Sequence, residues 1–354
     1  MSAGKHILWM ERCLALAKHG LFTASPNPMV GCVLVKGDKA LAEGWHIRPG
    51  EPHAEVVALD AFESLGGGDL SGATLYVNLE PCSHHGRTPP CCERIAASGI
   101  KHVVVGTEDP YVEVSGRGIE YLRGQGIEVE VGFLQEACAK LNRSFFHRHT
   151  SGRPHITLKW AQSIDGFMDP PRADGQLGSI AITGKEAQDL SHSWRAASDI
   201  VVIGAGTVDV DDPALTVRAI NGPDPIRWVL DPNGRTRPEA RVYASGRVAV
   251  WGGPIGLPAN VRQLDIPNDL SPPDAVRAIV AEAGRSGALS LYVEGGRATL
   301  DAFLAAGLWD EIRILQSPHS LSDGLIAPAL PSALEVDRQE IGQDLAIIYT
   351  PCMH

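Results

Sequence analysis

The chain has 354 residues, 31 lysines and arginines against 42 aspartates and glutamates, a formal net charge of −11 and an apolar fraction of 44%. That length and composition suit about two globular domains and exclude disorder, collagen and coiled coil. The acidic balance, with no dense Lys/Arg block, argues against a nucleic-acid partner, whose binding rests on neutralising phosphates.

No stretch approaches the roughly 20 apolar residues of a membrane span. The short apolar runs of the N-terminus, broken by Glu11, Arg12 and Lys18, lack the core of a signal peptide. The seven cysteines are an odd number, thinly spread except for Cys82, Cys91 and Cys92, and do not read as a disulfide framework. A reducing, cytoplasmic setting is expected.

In chain order, residues 7–20 place Ile7, Met10, Leu14 and Ala17 at helical spacing, and the breaker run Ser25-Pro26-Asn27-Pro28 leads into an apolar strand over 30–35. A helix over 53–65 starts after Pro52 and ends at Gly66-Gly67-Gly68. A strand over 74–79, a Pro/Gly/His loop, a helix over 91–97, a strand over 102–105, a helix over 119–125 and a strand over 127–131 follow. This alternation predicts a three-layer α/β domain.

Thr150-Ser151-Gly152-Arg153-Pro154 reads as a linker and divides the chain into domains 1–150 and 151–354. Alternation then restarts. Strands are expected over 155–160, 200–203, 226–230, 248–251, 289–294 and 311–315, and helices over 185–197, 273–283 and 299–306. A second α/β domain is the simplest reading.

His53-Ala54-Glu55, Pro81-Cys82 and Cys91 carry the strongest chemical signal. Zinc takes imidazole and thiolate ligands, and three protein ligands leave a fourth position for water, the catalytic pattern. His53 and Glu55 stand about 200° apart around a helix, so both reach one metal only from its N-terminal end. Pro52, Pro81 and Pro90 mark such starts. Helix N-termini also favour thiolate over thiol. Water on such a metal falls in pKa from about 15.7 to about 7. Glu55, not itself a ligand, is then placed to carry a proton to a leaving amine, as in zinc deaminases with an H-x-E…P-C-x-x-C signature. Here the cysteines are nine apart, and spacing leaves Cys91 and Cys92 open as the third ligand.

Leu79-Glu80-Pro81-Cys82-Ser83-His84-His85-Gly86-Arg87-Thr88-Pro89-Pro90-Cys91, with Pro26-Asn27-Pro28 and His53-Ala54-Glu55 upstream, resembles the deaminase half of the bifunctional riboflavin-biosynthesis deaminase/reductases. The resemblance implies His53, Cys82 and Cys91 as zinc ligands and Glu55 as the catalytic residue. It also implies pyrimidine and ribose-phosphate contacts from Asn27, His46, Arg87 and Asp109. After Asp109-Pro110 many members carry Asn-Pro, where this chain has Tyr111-Val112.

The second domain has no Walker loop and no G-x-G-x-x-G fingerprint. Gly204-Ala205-Gly206-Thr207 and Glu294-Gly295-Gly296 follow expected strands, and glycine turns there suit a phosphate on backbone amides. Leu158-Lys159-Trp160-Ala161-Gln162-Ser163-Ile164-Asp165-Gly166 and Asp211-Asp212-Pro213-Ala214-Leu215-Thr216-Val217-Arg218 are similar to the reductase half of the same family.

The family's fold is an N-terminal cytidine-deaminase-like three-layer domain followed by a C-terminal dihydrofolate-reductase-like domain, both α/β. The resemblance implies that Ala161, Thr207, Asp211, Gly295 and Gly296 face NADPH. It implies that Ser179, Arg195, Leu215, Arg218 and Glu294 face the substrate, with the two arginines on its phosphate. Lys159 is the expected catalytic residue that positions the opened ribose. Many members have Trp where this chain has Ala181, so an apolar wall beside the nicotinamide is expected from Trp160 or Phe167.

The implied cofactors are Zn2+ and NADPH. The implied partner is a small-molecule pyrimidine ribosyl phosphate, with no nucleic acid and no membrane, in a homo-oligomer built through the reductase half. Two rivals share part of the pattern. One is a nucleic-acid base deaminase, which the acidic balance opposes. The other is a reductase with a purely structural zinc, which needs a fourth ligand from His84, His85 or Cys92.

Overall fold

The computed structural model describes residues 3–85, 89–111, 115–173 and 176–352. The chain divides into two units, Met1–Gly152 and Arg153–His354.

In the first unit, α1 (Ala3–Ala17) turns Met10, Cys13 and Leu16 inward and closes in a 3-10 turn over Lys18–Gly20. Strands β1 (Gly31–Lys36), β2 (Lys39–Trp45), β3 (Ala73–Val77), β4 (His102–Val105) and β5 (Glu128–Val131) make one sheet in the order β2-β1-β3-β4-β5. β1 runs antiparallel to β2 and β3, while β3, β4 and β5 are parallel. Helix α1 packs on Val33, Val35, Tyr76 and Val104. The opposite face, with Leu34, Leu75, Val77 and Val103, carries α2 (Ala54–Ser64), α3 (Cys91–Ala97) and α4 (Arg117–Gly124). Covered on both faces, β3 and β4 read as continuous apolar runs, which made them legible.

Three elements of this unit lie outside the sequence expectations. β2 lacks β-branched residues, yet a two-residue turn at Gly37-Asp38 folds it back on β1, with Lys36 opposite Lys39. Helices α5 (Gln135–Leu141) and α6 (Arg143–Ser151) fill the stretch before the linker. Thr150 and Ser151 are therefore helical, and the chain breaks from helix at Gly152, φ 75°. Gly44 on β2 sets the seat of α2, because a Cβ there would lie 2.5 Å from the Ala54 carbonyl oxygen. Close approach brings the start of α2 to the sheet, and with it His53 and Glu55.

The second unit holds β6 (His155–Gln162), β7 (Phe167–Asp169), β8 (Ile200–Gly204), β9 (Ile226–Asp231), β10 (Val248–Gly252) and β11 (Val261–Gln263). These are followed by β12 (Ser290–Gly295), β13 (Glu311–Gln316), β14 (Leu325–Ile326), β15 (Ala333–Ile341) and β16 (Asp344–Pro351). Nine of them form a sheet in the order β11-β10-β9-β8-β12-β6-β13-β16-β15, and β7 pairs with β14. From β11 to β13 all neighbours are parallel; β16 and β15 are antiparallel.

Helices α7 (Lys185–Ala196), α8 (Ala205–Asp211), α9 (Pro272–Arg285) and α10 (Arg297–Ala305) complete the unit. Ile279 of α9 and Phe303 of α10 join Leu158, Leu291 and Val293 in one core, and Ala187 of α7 packs on Leu315 on the other face. Parallel strands end on one side, so the ends of β6, β8 and β12 gather the residues the sequence singled out. Among the described residues no helix is long and apolar enough to cross a membrane. All seven cysteines are free thiols.

Candidate active sites

In the first unit three chain segments converge. His53 is the residue before α2, in an extended conformation (φ −74°, ψ 164°), and Cys91 is the first residue of α3 after Pro90. Cys82 lies in the loop after β3. Their ligand atoms all fall within 4.8 Å of one another, and among the described residues no fourth His, Cys, Asp or Glu joins them. His53 Nδ1 stands 3.2 Å from Cys91 Sγ and 3.5 Å from Cys82 Sγ.

Zinc–nitrogen and zinc–sulfur bonds of about 2.0 and 2.3 Å at a tetrahedral angle put such atoms about 3.5 Å apart, so the donor set fits zinc. The first amide of α3, on Cys91, donates to Cys82 Sγ at 3.3 Å. Cys82 is drawn down toward thiolate, first by the hydrogen bond from the Cys91 thiol and then by His53 against the opposing effect of burial, while the same contact pushes Cys91 up. Cys92 packs in the core with Ile95 and Val77, whereas Cys91 is the cysteine grouped with His53 and Cys82. His85 is exposed and stands 3.5 Å from Glu93, so it supplies no fourth ligand.

Glu55, on the first turn of α2, is 3% exposed. Burial, then the nearby Cys82, raise its carboxyl to about 7, against the pull of His53. A cavity of about 420 Å³ opens over Glu55, His53 and Cys82. Asn27, His46, His84 and Asp109 line it too, so three of the four expected substrate residues meet the metal group in one pocket. Arg87, the fourth, lies outside the described residues.

His46 Nδ1 contacts the Pro52 carbonyl oxygen at 3.2 Å and His46 Nε2 meets Asn27 Nδ2 at 3.0 Å. With Nδ1–H donating, Nε2 accepts from the amide, which orients Asn27. The residues that hold this wall carry no local sequence signal. Asn142 clamps Met29, accepting from its N–H at 2.7 Å and donating to its carbonyl oxygen at 2.9 Å. Asn78 Nδ2 donates to the same oxygen at 3.1 Å.

The sequence marks Glu80 only as part of a motif, yet it organises the far side of the pocket. Its carboxylate accepts from the backbone amides of Asp109 (3.1 Å), Gly116 (2.9 Å) and Gly118 (2.9 Å). Charge-assisted bonds of this kind contribute about 1.5–3 kcal/mol each. Glu80→Ala is therefore expected to lower the melting temperature and to reduce deamination about tenfold or more through displacement of Asp109, with unit 2 reduction unaffected. Thermal unfolding and separate assays of the two activities check this.

In the second unit a cavity of about 330 Å³ lies at the strand ends, lined by Gly204, Gly206, Thr207, Asp211, Gly295 and Gly296 among others. A Cβ on Gly296, whose φ is 74°, would lie 2.4 Å from Thr207 Oγ1, so only glycine lets the β8 and β12 turns meet. The amides that open α10 border this cavity, a cradle suited to the phosphates of a dinucleotide. Thr207, Asp211, Gly295 and Gly296 thus line the cradle, and NADPH fits the chemistry of this wall. Arg172 fixes Asp211, donating to Oδ1 at 3.0 Å.

Ala161 is placed elsewhere, beside Leu315 and Ala346. Trp160 is buried in the core with Ile156 and Leu291, its indole N–H donating to Gln162 Oε1 at 2.8 Å, so it forms no wall of the cavity. Nor does Phe167 line it. Met168, Ile180 and Val210 supply the apolar lining.

Arg195 and Glu294 form a buried two-pronged ion pair at 2.6 and 2.9 Å, and Arg195 Nη1 also donates to the Thr216 carbonyl oxygen at 2.8 Å. The Arg195 guanidinium is thus already engaged by Glu294, and a phosphate would have to share it. Glu294 stays ionised although burial opposes it, because Arg195 and then Lys159 hold its carboxyl low. Lys159, half-buried, is pushed down by burial while Glu294 holds it up.

Leu215 has φ 52° and turns its side chain into the core with Val201 and Val229, so only its backbone can meet a ligand. Arg218 is exposed, Nη1 donating to Thr216 Oγ1 at 3.0 Å, and Ser179 is exposed.

Residues 4–107 match the cytidine and deoxycytidylate deaminase zinc-binding region, and residues 154–324 match the RibD C-terminal domain. Together with the two sites, these matches define a class: a zinc deaminase of cytidine-deaminase fold followed in one chain by a reductase of dihydrofolate-reductase-like fold. Riboflavin biosynthesis protein RibD of Aquifex aeolicus is 37% identical over 96% of this chain and 97% of its own length, and that of Escherichia coli 38% over 88% of each. The crystal structure of a diaminohydroxyphosphoribosylaminopyrimidine deaminase/5-amino-6-(5-phosphoribosylamino)uracil reductase from Thermotoga maritima superposes with a TM-score of 0.89 at 36% identity, over 99% of both chains. The chain belongs to the RibD family of bifunctional riboflavin-biosynthesis deaminase/reductases, whose deaminase holds zinc and whose reductase uses NADPH.

Proposed function

We propose that the first unit hydrolyses the 2-amino group of 2,5-diamino-6-ribosylamino-pyrimidinone 5′-phosphate and that the second then reduces the ribosyl side chain to ribityl. The reading is carried by the buried Glu55 beside the His53/Cys82/Cys91 group, in a chain matching the Thermotoga deaminase/reductase over 99% of both lengths.

His53, Cys82 and Cys91 would hold zinc, which would supply a water of near-neutral pKa. Glu55 takes the water's proton and returns it to the leaving amine, a task suited to a carboxyl near 7. Asn27, oriented by His46, holds the pyrimidine edge, and Arg87 and Asp109 hold the ribose phosphate. Val30 and Leu79 exclude water from the deep end of the pocket.

In the second unit bound NADPH would supply the hydride for the reduction. Thr207, Asp211, Gly295 and Gly296 hold the dinucleotide. Lys159 and Glu294 position the opened ribose, Arg195 positions Glu294, and Ser179, the Leu215 backbone and Arg218 hold the phosphate end.

Lys159→Ala and Arg218→Ala are expected to lower reduction about tenfold to a hundredfold, the worth of a charge-assisted hydrogen bond, with deamination intact. Intact reduction with weakened deamination would exchange the two assignments. The overall test is to give the zinc-loaded chain the diaminopyrimidinone ribosyl phosphate with and without NADPH. Ammonia is expected without NADPH, and loss of nicotinamide absorbance only after deamination. Ammonia with no NADPH oxidation would remove the reductase assignment.

Cytoplasmic placement is part of the proposal, supported by a Cys82/Cys91 pair that must stay reduced to bind metal. A homo-oligomer built through the second unit is supported by edge strand β15, where Leu334 and Val336 are exposed at 55% and 52%.

A further inference from the structure

The turn that carries Arg218 is held from four directions. Leu215 sits in the left-handed region at φ 52°, a conformation that a leucine keeps only where its surroundings impose it. The carbonyl oxygen on each side of it accepts from a buried arginine, Ala214 from Arg227 Nη1 at 2.9 Å and Thr216 from Arg195 Nη1 at 2.8 Å. Next along the chain, the Val217 N–H donates to Asp224 Oδ1 at 2.6 Å. Last, the Arg218 N–H donates to His192 Nδ1 at 3.2 Å, so the ring accepts through Nδ1 and carries its proton on Nε2. The Arg218 side chain turns back on Thr216 Oγ1 at 3.0 Å, and its direction depends on the same turn.

His192 stands three residues before Arg195 on α7, so the two share a face of that helix. The ring is half-buried. Burial first, then the charges of Arg195 and Arg218, lower its pKa, while Glu294 on β12 and Asp189 on α7 raise it. The neutral ring that the contact requires is therefore the form present at neutral pH. Among the side chains that grip this turn, histidine is the one type whose ordinary titration lies near neutrality.

We propose that His192 is a positioning residue of the reductase, which anchors the Arg218 backbone through Nδ1 and releases it when the ring takes up a second proton. This inference rests on the reading above in which Arg218 holds the phosphate end of the substrate. An imidazolium has N–H donors on both nitrogens, so Nδ1 would meet the Arg218 N–H donor against donor, next to two guanidiniums. The end of the turn then comes loose, and ordering it again on binding weakens the hold on substrate. The Arg195 pair with Glu294 does not use this nitrogen, so Glu294 and Lys159 keep their places.

The test uses the full chain and its His192→Ala and His192→Asn variants, with reduction of the deaminated ribosyl phosphate followed from about pH 8 to about pH 5. Asparagine presents an acceptor oxygen where Nδ1 stands and does not titrate. At the alkaline end His192→Ala is expected to raise the KM of the ribosyl phosphate about fivefold, the worth of one such hydrogen bond, with kcat and the KM of NADPH within about twofold. His192→Asn keeps the parental KM there. Toward the acid end the parental KM is expected to climb about fivefold relative to that of His192→Asn, until it meets that of His192→Ala. The substrate phosphate, with a second pKa of about 6, titrates alike in all three chains and cancels from these ratios.

A parental KM in His192→Ala, or a ratio of parent to His192→Asn that stays flat with pH, overturns the inference while leaving the reductase standing. A ratio that falls toward acid also overturns it, since the imidazolium would then be pairing with the phosphate itself. So does a KM of NADPH that rises in step with that of the substrate, because His192 would then be supporting the whole unit. Arg218→Ala with a parental KM overturns the phosphate reading, and the assignment of His192 falls with it.

Discussion

Glu55→Gln is expected to cut ammonia release at least about a hundredfold, while zinc content and reduction of the deaminated intermediate stay parental. Glutamine preserves the size of the side chain in a site where Glu55 is only 3% exposed, so packing at the start of α2 is undisturbed. The change removes the proton carrier alone. Burial and the Cys82 sulfur bring the Glu55 carboxyl to about 7, where it both accepts and releases a proton at neutral pH; an amide does neither. Glu55 is not one of the three grouped donors, so metal analysis should find no loss. Parental ammonia release by the variant would remove Glu55 from the proton path.

Cys82→Ser should abolish deamination by a different route, through the metal. A serine hydroxyl stays protonated at neutral pH where the thiol, hydrogen-bonded by Cys91 and close to His53, ionises. Zinc retention is expected to fall at least about tenfold, the order of loss typical when metal-site contacts are removed, and the three-ligand site lost here exceeds an outer contact. Cys91→Ser should do the same. Cys92→Ser should keep zinc, because Cys92 packs on Ile95 in the core, though it will cost some stability. A chelator applied to the parent should stop deamination and spare reduction, since the three donors all lie in the first unit. Equal zinc in Cys82→Ser and the parent would strike Cys82 from the ligands.

Much of this arrangement was legible because the chemistry demands short local patterns. The apolar runs of β3, β4, β6 and β8 announce strands buried on both faces, and the Pro-flanked starts of α2 and α3 announce where His53 and Cys91 would stand. The gaps have physical causes. β15 has seven consecutive exposed residues, so it carries no apolar alternation to read, and it is a strand only because β16 offers it hydrogen bonds. Helix α6 buries none of its residues fully, which leaves no helical stripe, yet it delivers Phe145 and His149 to the pocket mouth.

Long-range partners were equally silent. Nothing near Arg195 says that Glu294 will take its guanidinium, and nothing near Glu80 says that it will gather amides from beyond residue 108. Trp160 is expected, with Phe167 as the alternative, to replace the Trp missing at Ala181, but β6 alternation sends its side chain to the opposite, core-facing side of the sheet from Lys159.

The strand order of the second unit also sets a timetable for synthesis. β6 is the first strand of that unit to leave the ribosome, yet its sheet neighbours are β12 and β13, which lie at residues 290–295 and 311–316. An apolar strand therefore waits, with both edges unpaired, until nearly the whole unit has emerged, whereas the first unit has all its strands by residue 131. The nascent chain should thus acquire a folded deaminase well before its reductase, and the interval while β6 stands unpaired is when this protein most needs a chaperone.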